Sequence, residues 1–124
     1  MISRRYARGD VHPTPSLSLV VSSRRYSKSM KISFRIDTGA DITVIPPVCV
    51  YRLLLESRGR LEIGDYDARR LHHETFIVDI ALGSVTLRGV QVIASASGSA
   101  LLGLDILNQM DLRLNGPKNT LSVY

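Results

Sequence analysis

A run of alternating apolar and polar residues, Met30-Lys31-Ile32-Ser33-Phe34-Arg35-Ile36, ends in a carboxylate and a glycine, Asp37-Thr38-Gly39-Ala40. A second β-branched run, Ile42-Thr43-Val44-Ile45, begins almost at once. Side chains alternate between the two faces of a strand, so Met30, Ile32, Phe34 and Ile36 share one face. The chain must therefore set two short core strands on either side of a tight loop, with an acid where the first strand leaves the core. Ser33 and Arg35 belong to the exposed face and need no explanation, whereas Asp37 does. Gly39 permits a close backbone approach that a side chain would block, and Thr38 offers a hydroxyl that can anchor the loop. Asp-Thr-Gly is also ordinary turn chemistry, so the tripeptide alone leaves a plain β-turn open.

The remaining pattern is mostly strand. Residues 1–15 are polar and basic and contain Pro13 and Pro15, which predicts a tail or linker, with the domain spanning 16–124. Ser16 to Ser22 alternates as a strand, and Arg24 to Lys28 reads as an exposed turn. Pro46-Pro47 can open a helix, since proline is tolerated at the first helical position. Val48, Tyr51, Leu54 and Leu55 then follow at helical spacing. Leu61 to Ile63, a turn at Gly64-Asp65-Tyr66-Asp67 and the residues from Ala68 onward predict a hairpin. Phe76, Val78, Ile80 and Leu82 alternate, Gly83-Ser84 turns, and Val85 to Ile93 runs back with an irregularity near Gly89. Leu104, Leu107 and Met110 suggest a short helix, and Asp111 to Tyr124 a closing hairpin about Asn115-Gly116. The expected class is mostly β, with one or two short helices.

Charge and composition narrow the functions open to such a domain. Residues 1–31 hold seven Lys/Arg and one Asp, whereas residues 32–124 hold nine Lys/Arg against ten Asp/Glu. The basic character thus belongs to the N-terminal segment, read as a solvated tail, with targeting or anion binding as the alternative. A nucleic-acid face would be spread over the folded part, and Trp is absent, so nucleic acid is not the expected partner. No apolar run reaches the roughly 18 residues of a membrane-spanning helix. The basic start lacks the apolar stretch of a secretory signal, and a soluble, cytoplasmic protein is expected before a secreted one. The lone Cys49 excludes an internal disulfide and a multi-cysteine zinc site; it reads as a small buried apolar residue. His72-His73 beside Glu74 does not make a metal site, because adjacent strand residues point to opposite faces.

Phe34 to Ile45 resembles the active-site element of the retropepsins, the single-domain retroviral-type aspartic proteases: hydrophobic–Asp-Thr-Gly-Ala-Asp-x-Thr-Val. A second element lies 64 residues past Asp37, at Leu101-Leu102-Gly103-Leu104-Asp105-Ile106-Leu107, and is similar to the family's paired-aliphatic–Gly segment that opens its C-terminal helix. The closing strand-turn-strand fits as well, so the resemblance spans residues 16–124. It implies a closed, barrel-like, mostly antiparallel β fold and an aspartic endopeptidase that binds an extended peptide and needs no cofactor and no metal.

Within that resemblance, Asp37 is the expected catalytic residue, and Thr38, Gly39 and Ala40 form its loop. Thr38 would brace the loop across a dimer, and the Gly39 carbonyl would accept from substrate backbone. Asp41 would sit beside the cleft, contacting substrate or packing partners, and Leu101 and Leu102 would pack against the catalytic loop and border substrate pockets. The flap is expected at Glu62 to Arg70, with Gly64, Asp65 and Tyr66 near its tip; Gly83-Ser84 is the competing turn. Asp10, Asp41, Asp65, Asp67, Asp79, Asp105 and Asp111 are all followed by something other than Thr-Gly or Ser-Gly. The chain therefore carries one carboxylate of the two that the chemistry needs, which implies a homodimer with Asp37 of both copies on the two-fold axis. The terminal strand Thr120 to Tyr124 is the expected interface element. The alternative is a non-catalytic module of the same fold, used for dimerisation or peptide binding.

Overall fold

The computed structural model describes residues 1–64, 70–94 and 98–124. The chain runs β1 (Ile2–Arg5), β2 (Ser16–Ser23), β3 (Lys28–Ile36), β4 (Val44–Ile45), α1 (Pro47–Arg52), β5 (Arg60–Gly64) and β6 (Arg70–Leu82). It continues through β7 (Val85–Ala94), β8 (Leu101–Leu102), α2 (Leu104–Leu107), β9 (Leu112–Asn115) and β10 (Thr120–Val123). The period-2 pattern of β2 and β3 is realised as burial. Leu17, Leu19 and Val21 of β2 face Ile32 and Phe34 of β3 in the core, while Ser18, Val20, Lys31, Ser33 and Arg35 point outward. The two strands form a hairpin in register from Ser16↔Arg35 to Ser23↔Lys28. Ser27, in the left-handed region at φ 51°, closes its turn.

Seven strands make one sheet in the order β2-β3-β8-β4-β7-β6-β5, and β2 also pairs with β6 over Val20–Ser22. The sheet thus folds back over a core of Val21, Phe34, Phe76, Val78, Ile80, Val92, Leu102, Ile106 and Leu121. It is mostly antiparallel, but β3–β8 and β4–β7 are parallel. The closed barrel expected from the sequence is not formed. β4 and β8 are two-residue strands that meet at a single antiparallel pair, Val44↔Leu101, and β5 hangs outside β6.

Three other expectations change. Residues 1–15 are not all tail: Ile2–Arg5 pairs with β10 from Ile2↔Val123 to Arg5↔Thr120, and Ala7 and Thr14 bridge the loop that follows. A polar strand without alternation gains its order from the neighbouring strand's backbone rather than from a buried face. The second change concerns α1, whose buried residue is Cys49, followed by Leu53 at its C-terminal cap, both at 0% exposure. Of the anticipated stripe of Val48, Tyr51, Leu54 and Leu55, the first three are exposed and Leu55 is half-buried against the core. The helix is only six residues long, and Leu54 turns out of it at φ 53°. The third is that Asp65 and Tyr66, the expected flap tip, lie outside the described residues.

The β6–β7 hairpin contains the expected irregularity. A register shift between Val78 and Ile80 takes Asp79 out of the ladder opposite Gly89, whose φ is +66°. The Asp79 carboxylate is buried and accepts the Gly89 N–H at 2.9 Å, with Arg24 and Arg88 both at 3.4 Å. Burial pushes this carboxyl up, but the Gly89 N–H and the two guanidinium groups outweigh it and hold the group below its ordinary range.

Candidate active site

Asp37 is the first residue beyond β3, and the chain turns there because its backbone is tied to a different strand. Arg35 and Ile36 pair in parallel with Leu101 and Leu102 of β8, and the Asp37 N–H donates to the Leu102 carbonyl at 3.0 Å. Asp37 Oδ1 then accepts the Gly39 N–H at 2.9 Å, and its carbonyl accepts the Ala40 N–H at 3.2 Å. A carboxylate that closes its own turn in this way is held in one orientation. Asp37 and Ala40 are half-buried, while Thr38, Gly39 and Asp41 are exposed.

The loop is held from below by residues that the sequence reading did not nominate. The Asp105 carboxylate, at the start of α2, accepts the Thr43 hydroxyl at 2.7 Å, the Thr43 N–H at 3.1 Å and the Ile106 N–H at 2.9 Å. The fully buried Thr43 hydroxyl in turn accepts the Gly103 N–H at 3.1 Å. Leu104 N–H donates to the Ala40 carbonyl at 2.8 Å, completing the link between the two sequence elements. Gly103 is required here by proximity: a Cβ would stand 2.8 Å from both the Ala40 oxygen and the Ile42 carbonyl carbon. The only sequence signal for this latch was the pairing of the two motifs, since Thr43 and Asp105 are ordinary residues taken singly.

Above the loop lies a cleft of about 600 Å³. Asp37, Gly39, Ala40 and Asp41 line one side; Leu61, Glu62, Ile63 and Gly64 of β5 line the other, with Ile42, Val44 and Ile93 between. The structure therefore brings Asp37, Gly39, Ala40, Asp41 and Gly64 together, and it sets the β5–β6 hairpin against them rather than the Gly83-Ser84 turn. Thr38 does not line this cleft. Leu102 is a correction, for it is fully buried beside Ile36 and has no surface to offer a ligand. Leu101 is half-buried and faces the groove under residues 7–16, on another side of the strand. Glu62 and Ile63 fall in the expected flap, whereas Ile42, Val44, Leu61 and Ile93 were missed, because a cleft wall made by distant strands leaves no local mark.

Other chemistry-bearing residues are accounted for structurally. Cys49 is fully buried, and burial pushes its thiol up to about 11 against a smaller opposing effect of Arg52. Such a thiol is not poised as a nucleophile. His72 and His73 are consecutive on β6, opposite Glu62 and Leu61, so they present opposite faces. Among the described residues no helix is long and apolar enough to cross a membrane.

A core-strand carboxylate at the floor of a cleft, a hairpin above it and a second aliphatic–Gly element beneath it define the single-domain aspartic protease architecture. The profile of the family described as gag-polyprotein putative aspartyl protease matches residues 27–109, and the chain belongs to that family. No curated protein matches the sequence significantly. Among solved structures, the EIAV protease complexed with the inhibitor HBY-793 is similar at a TM-score of 0.62 and 17% identity, covering 83% of this chain and 93% of that one. A retropepsin-like aspartic protease from Rickettsia conorii is similar at a TM-score of 0.64 and 17% identity, covering 98% of this chain and 89% of that one. The fold is retropepsin-like.

Proposed function

We propose that the chain is an aspartic endopeptidase that becomes active as a homodimer, with Asp37 of each copy supplying half of a catalytic dyad. The observation that carries this reading is the position of the Asp37 carboxylate, oriented by its own turn at the base of a cleft of about 600 Å³. Family membership and fold support a hydrolase of this class. The dimer follows from stoichiometry, since each chain has one Asp-Thr-Gly.

Two carboxyl groups about 3 Å apart cannot both ionise readily and so share one proton. The ionised partner takes a proton from a water held between them, and that water attacks the scissile carbonyl carbon. The protonated partner donates to the carbonyl oxygen, giving a tetrahedral intermediate that collapses with proton transfer to the leaving nitrogen. No covalent enzyme intermediate forms, and no metal takes part. Gly39 leaves room for substrate backbone at the cleft edge, and its carbonyl is the acceptor for it. The β5–β6 hairpin, with Gly64 and beyond it Asp65 and Tyr66, is the flap that covers bound peptide. Asp41 contacts substrate beside the dyad, and Thr38 braces the loop across the dimer axis.

The test is digestion of a peptide library by the wild type and by Asp37→Asn side by side. The reading expects cleavage by the wild type, unaffected by EDTA, and none by the variant, with far-UV circular dichroism unchanged between them. Near-wild-type cleavage by Asp37→Asn removes the residue from the mechanism.

A further inference from the structure

Arginines from three separate stretches of chain converge outside the cleft. Arg24 and Arg25 stand in the β2–β3 turn and Arg58 between α1 and β5, and all three line a pocket of about 320 Å³. A fourth, Arg88 of β7, reaches the same place through Asp79. Arg24 and Arg88 share that one carboxylate, which is 6% exposed, while both arginine side chains stay largely in water. Arg25 is held by Glu56 at 2.9 Å and lies over the Tyr26 ring at 5.3 Å. Among the described residues no carboxylate pairs Arg58. Two acids thus face four cations, and the excess is carried by planar guanidinium groups, whose donor forks suit carboxylates. None of the residues lining this pocket lines the cleft above Asp37.

The rest of the wall is apolar and carries a residue choice that the fold does not explain. Helix α1 ends in a Schellman cap: the Leu55 N–H donates to the Val50 carbonyl at 3.0 Å and the Leu54 N–H to the Tyr51 carbonyl at 3.3 Å. The cap puts residue 54 in the left-handed region, at φ 53°, where a Cβ crowds the following carbonyl and glycine is the usual choice. Leucine stands there instead, and 48% of it remains exposed at the pocket. Ile77 and Tyr26, on the same wall, are exposed as well. A costly backbone position that leaves an apolar side chain in water points to a use outside the chain's own core.

We propose that this pocket docks an acidic peptide segment in which a large aliphatic side chain is flanked by carboxylates. The aliphatic group covers Leu54 and Ile77, and the flanking carboxylates pair with Arg58 and with the open sides of Arg24 and Arg25. Neither half alone selects this ligand. An inorganic anion would leave the apolar wall in water, and a second copy docking by this same face would bring the cations against themselves. A nucleic acid needs an aromatic face to stack on, and the Tyr26 ring is already covered by Arg25. The proposal stands apart from the peptidase reading, because it uses neither Asp37 nor the dimer.

The test is fluorescence anisotropy of a labelled peptide, Glu-Asp-Leu-Leu-Asp-Glu, titrated with the wild type and, so that cleavage does not interfere, with Asp37→Asn. Both should bind it alike, and more weakly as salt is added. Arg58→Gln should raise the dissociation constant about threefold or more, the scale of one exposed ion pair. Lys118→Gln, the same charge loss at an exposed residue outside the pocket, should leave it unchanged. Leu54→Gly should raise it about fivefold, the scale of a half-buried leucine, with little change in the urea midpoint, because glycine relieves the left-handed strain. Replacing both peptide leucines by serine should weaken binding comparably. Equal losses in Arg58→Gln and Lys118→Gln would reduce the attraction to net charge and overturn the proposal. So would unchanged affinity in Leu54→Gly or for the serine peptide, or a uridine oligonucleotide of equal charge that binds tighter and depends on Arg58. A wild type that cleaves nothing yet binds the peptide in this way would end the peptidase reading and leave the docking site standing.

Discussion

Thr43, Gly103 and Asp105 form a chain of hydrogen bonds beneath Asp37, and none of the three lines the cleft itself. Thr43→Val preserves shape but removes the acceptor of the Gly103 N–H and a donor to Asp105. Leaving a buried donor unsatisfied costs about 1–3 kcal/mol, so the urea midpoint should fall accordingly, while Thr43→Ser should restore most of it. Gly103→Ala should be worse for activity than for stability, since the new Cβ pushes directly on the Ala40 and Ile42 backbone that shapes the Asp37 loop. Equal activity per folded molecule in Gly103→Ala would show that the loop tolerates the displacement. At this scale Asp37 stands out in the sequence because an acid interrupts a core strand, while Asp41 is named only through the family resemblance. The Thr43–Asp105 latch was not legible, because its members are 62 residues apart and neither breaks a local pattern.

Among the elements, strands with one buried face were readable from alternation, and those without were not. β2, β3 and β6 advertise their faces. β1 is ordered by β10's backbone, a contact across nearly the whole chain, and its residues give no sign of it. α1 was recognised, with Cys49 as its buried residue, but the exposure of Val48, Tyr51 and Leu54 was not, since apolar residues surround so short a helix. Leu53→Ala, at 0% exposure, should therefore cost about 2–5 kcal/mol in urea unfolding. Tyr51→Ala, at 77% exposure, should stay within about 0.5 kcal/mol. The β6–β7 bulge makes a prediction in pH. The folded Asp79 carboxyl sits below its unfolded value, so its contribution is present above the ordinary carboxylate range of about 4 and is lost as pH falls through the lowered value. Asp79→Asn should lower stability at pH 7 and flatten its acid dependence as pH falls below about 4. Denaturant midpoints measured across that range provide the check, and parallel curves for the two proteins would deny Asp79 this role.

At the scale of the whole molecule, one chain holds a complete core and, in the proposed reading, one carboxylate of a dyad. Folding and catalysis are thus expected to have different concentration dependences. Circular dichroism should be the same at any dilution, while activity per chain should fall once the protein is diluted below its dimer dissociation constant. The sequence raises this expectation by arithmetic, since a single Asp-Thr-Gly cannot supply two carboxylates. It did not disclose which strand is left with an open edge, because that depends on β1 occupying one side of β10.

The central claim is that two Asp37 carboxylates from two chains make one active site, and a mixing experiment tests it most directly. Wild type and Asp37→Asn are unfolded together, refolded at fixed total concentration and varying ratio, and assayed on one peptide. If both chains of a dimer must supply Asp37, and the variant dimerises as the wild type does, activity follows the square of the wild-type fraction. An equal mixture then retains about a quarter of full activity, by random pairing under mass action. Activity that falls in linear proportion, leaving half in the equal mixture, would mean that each chain works with its own Asp37 alone and would contradict the account.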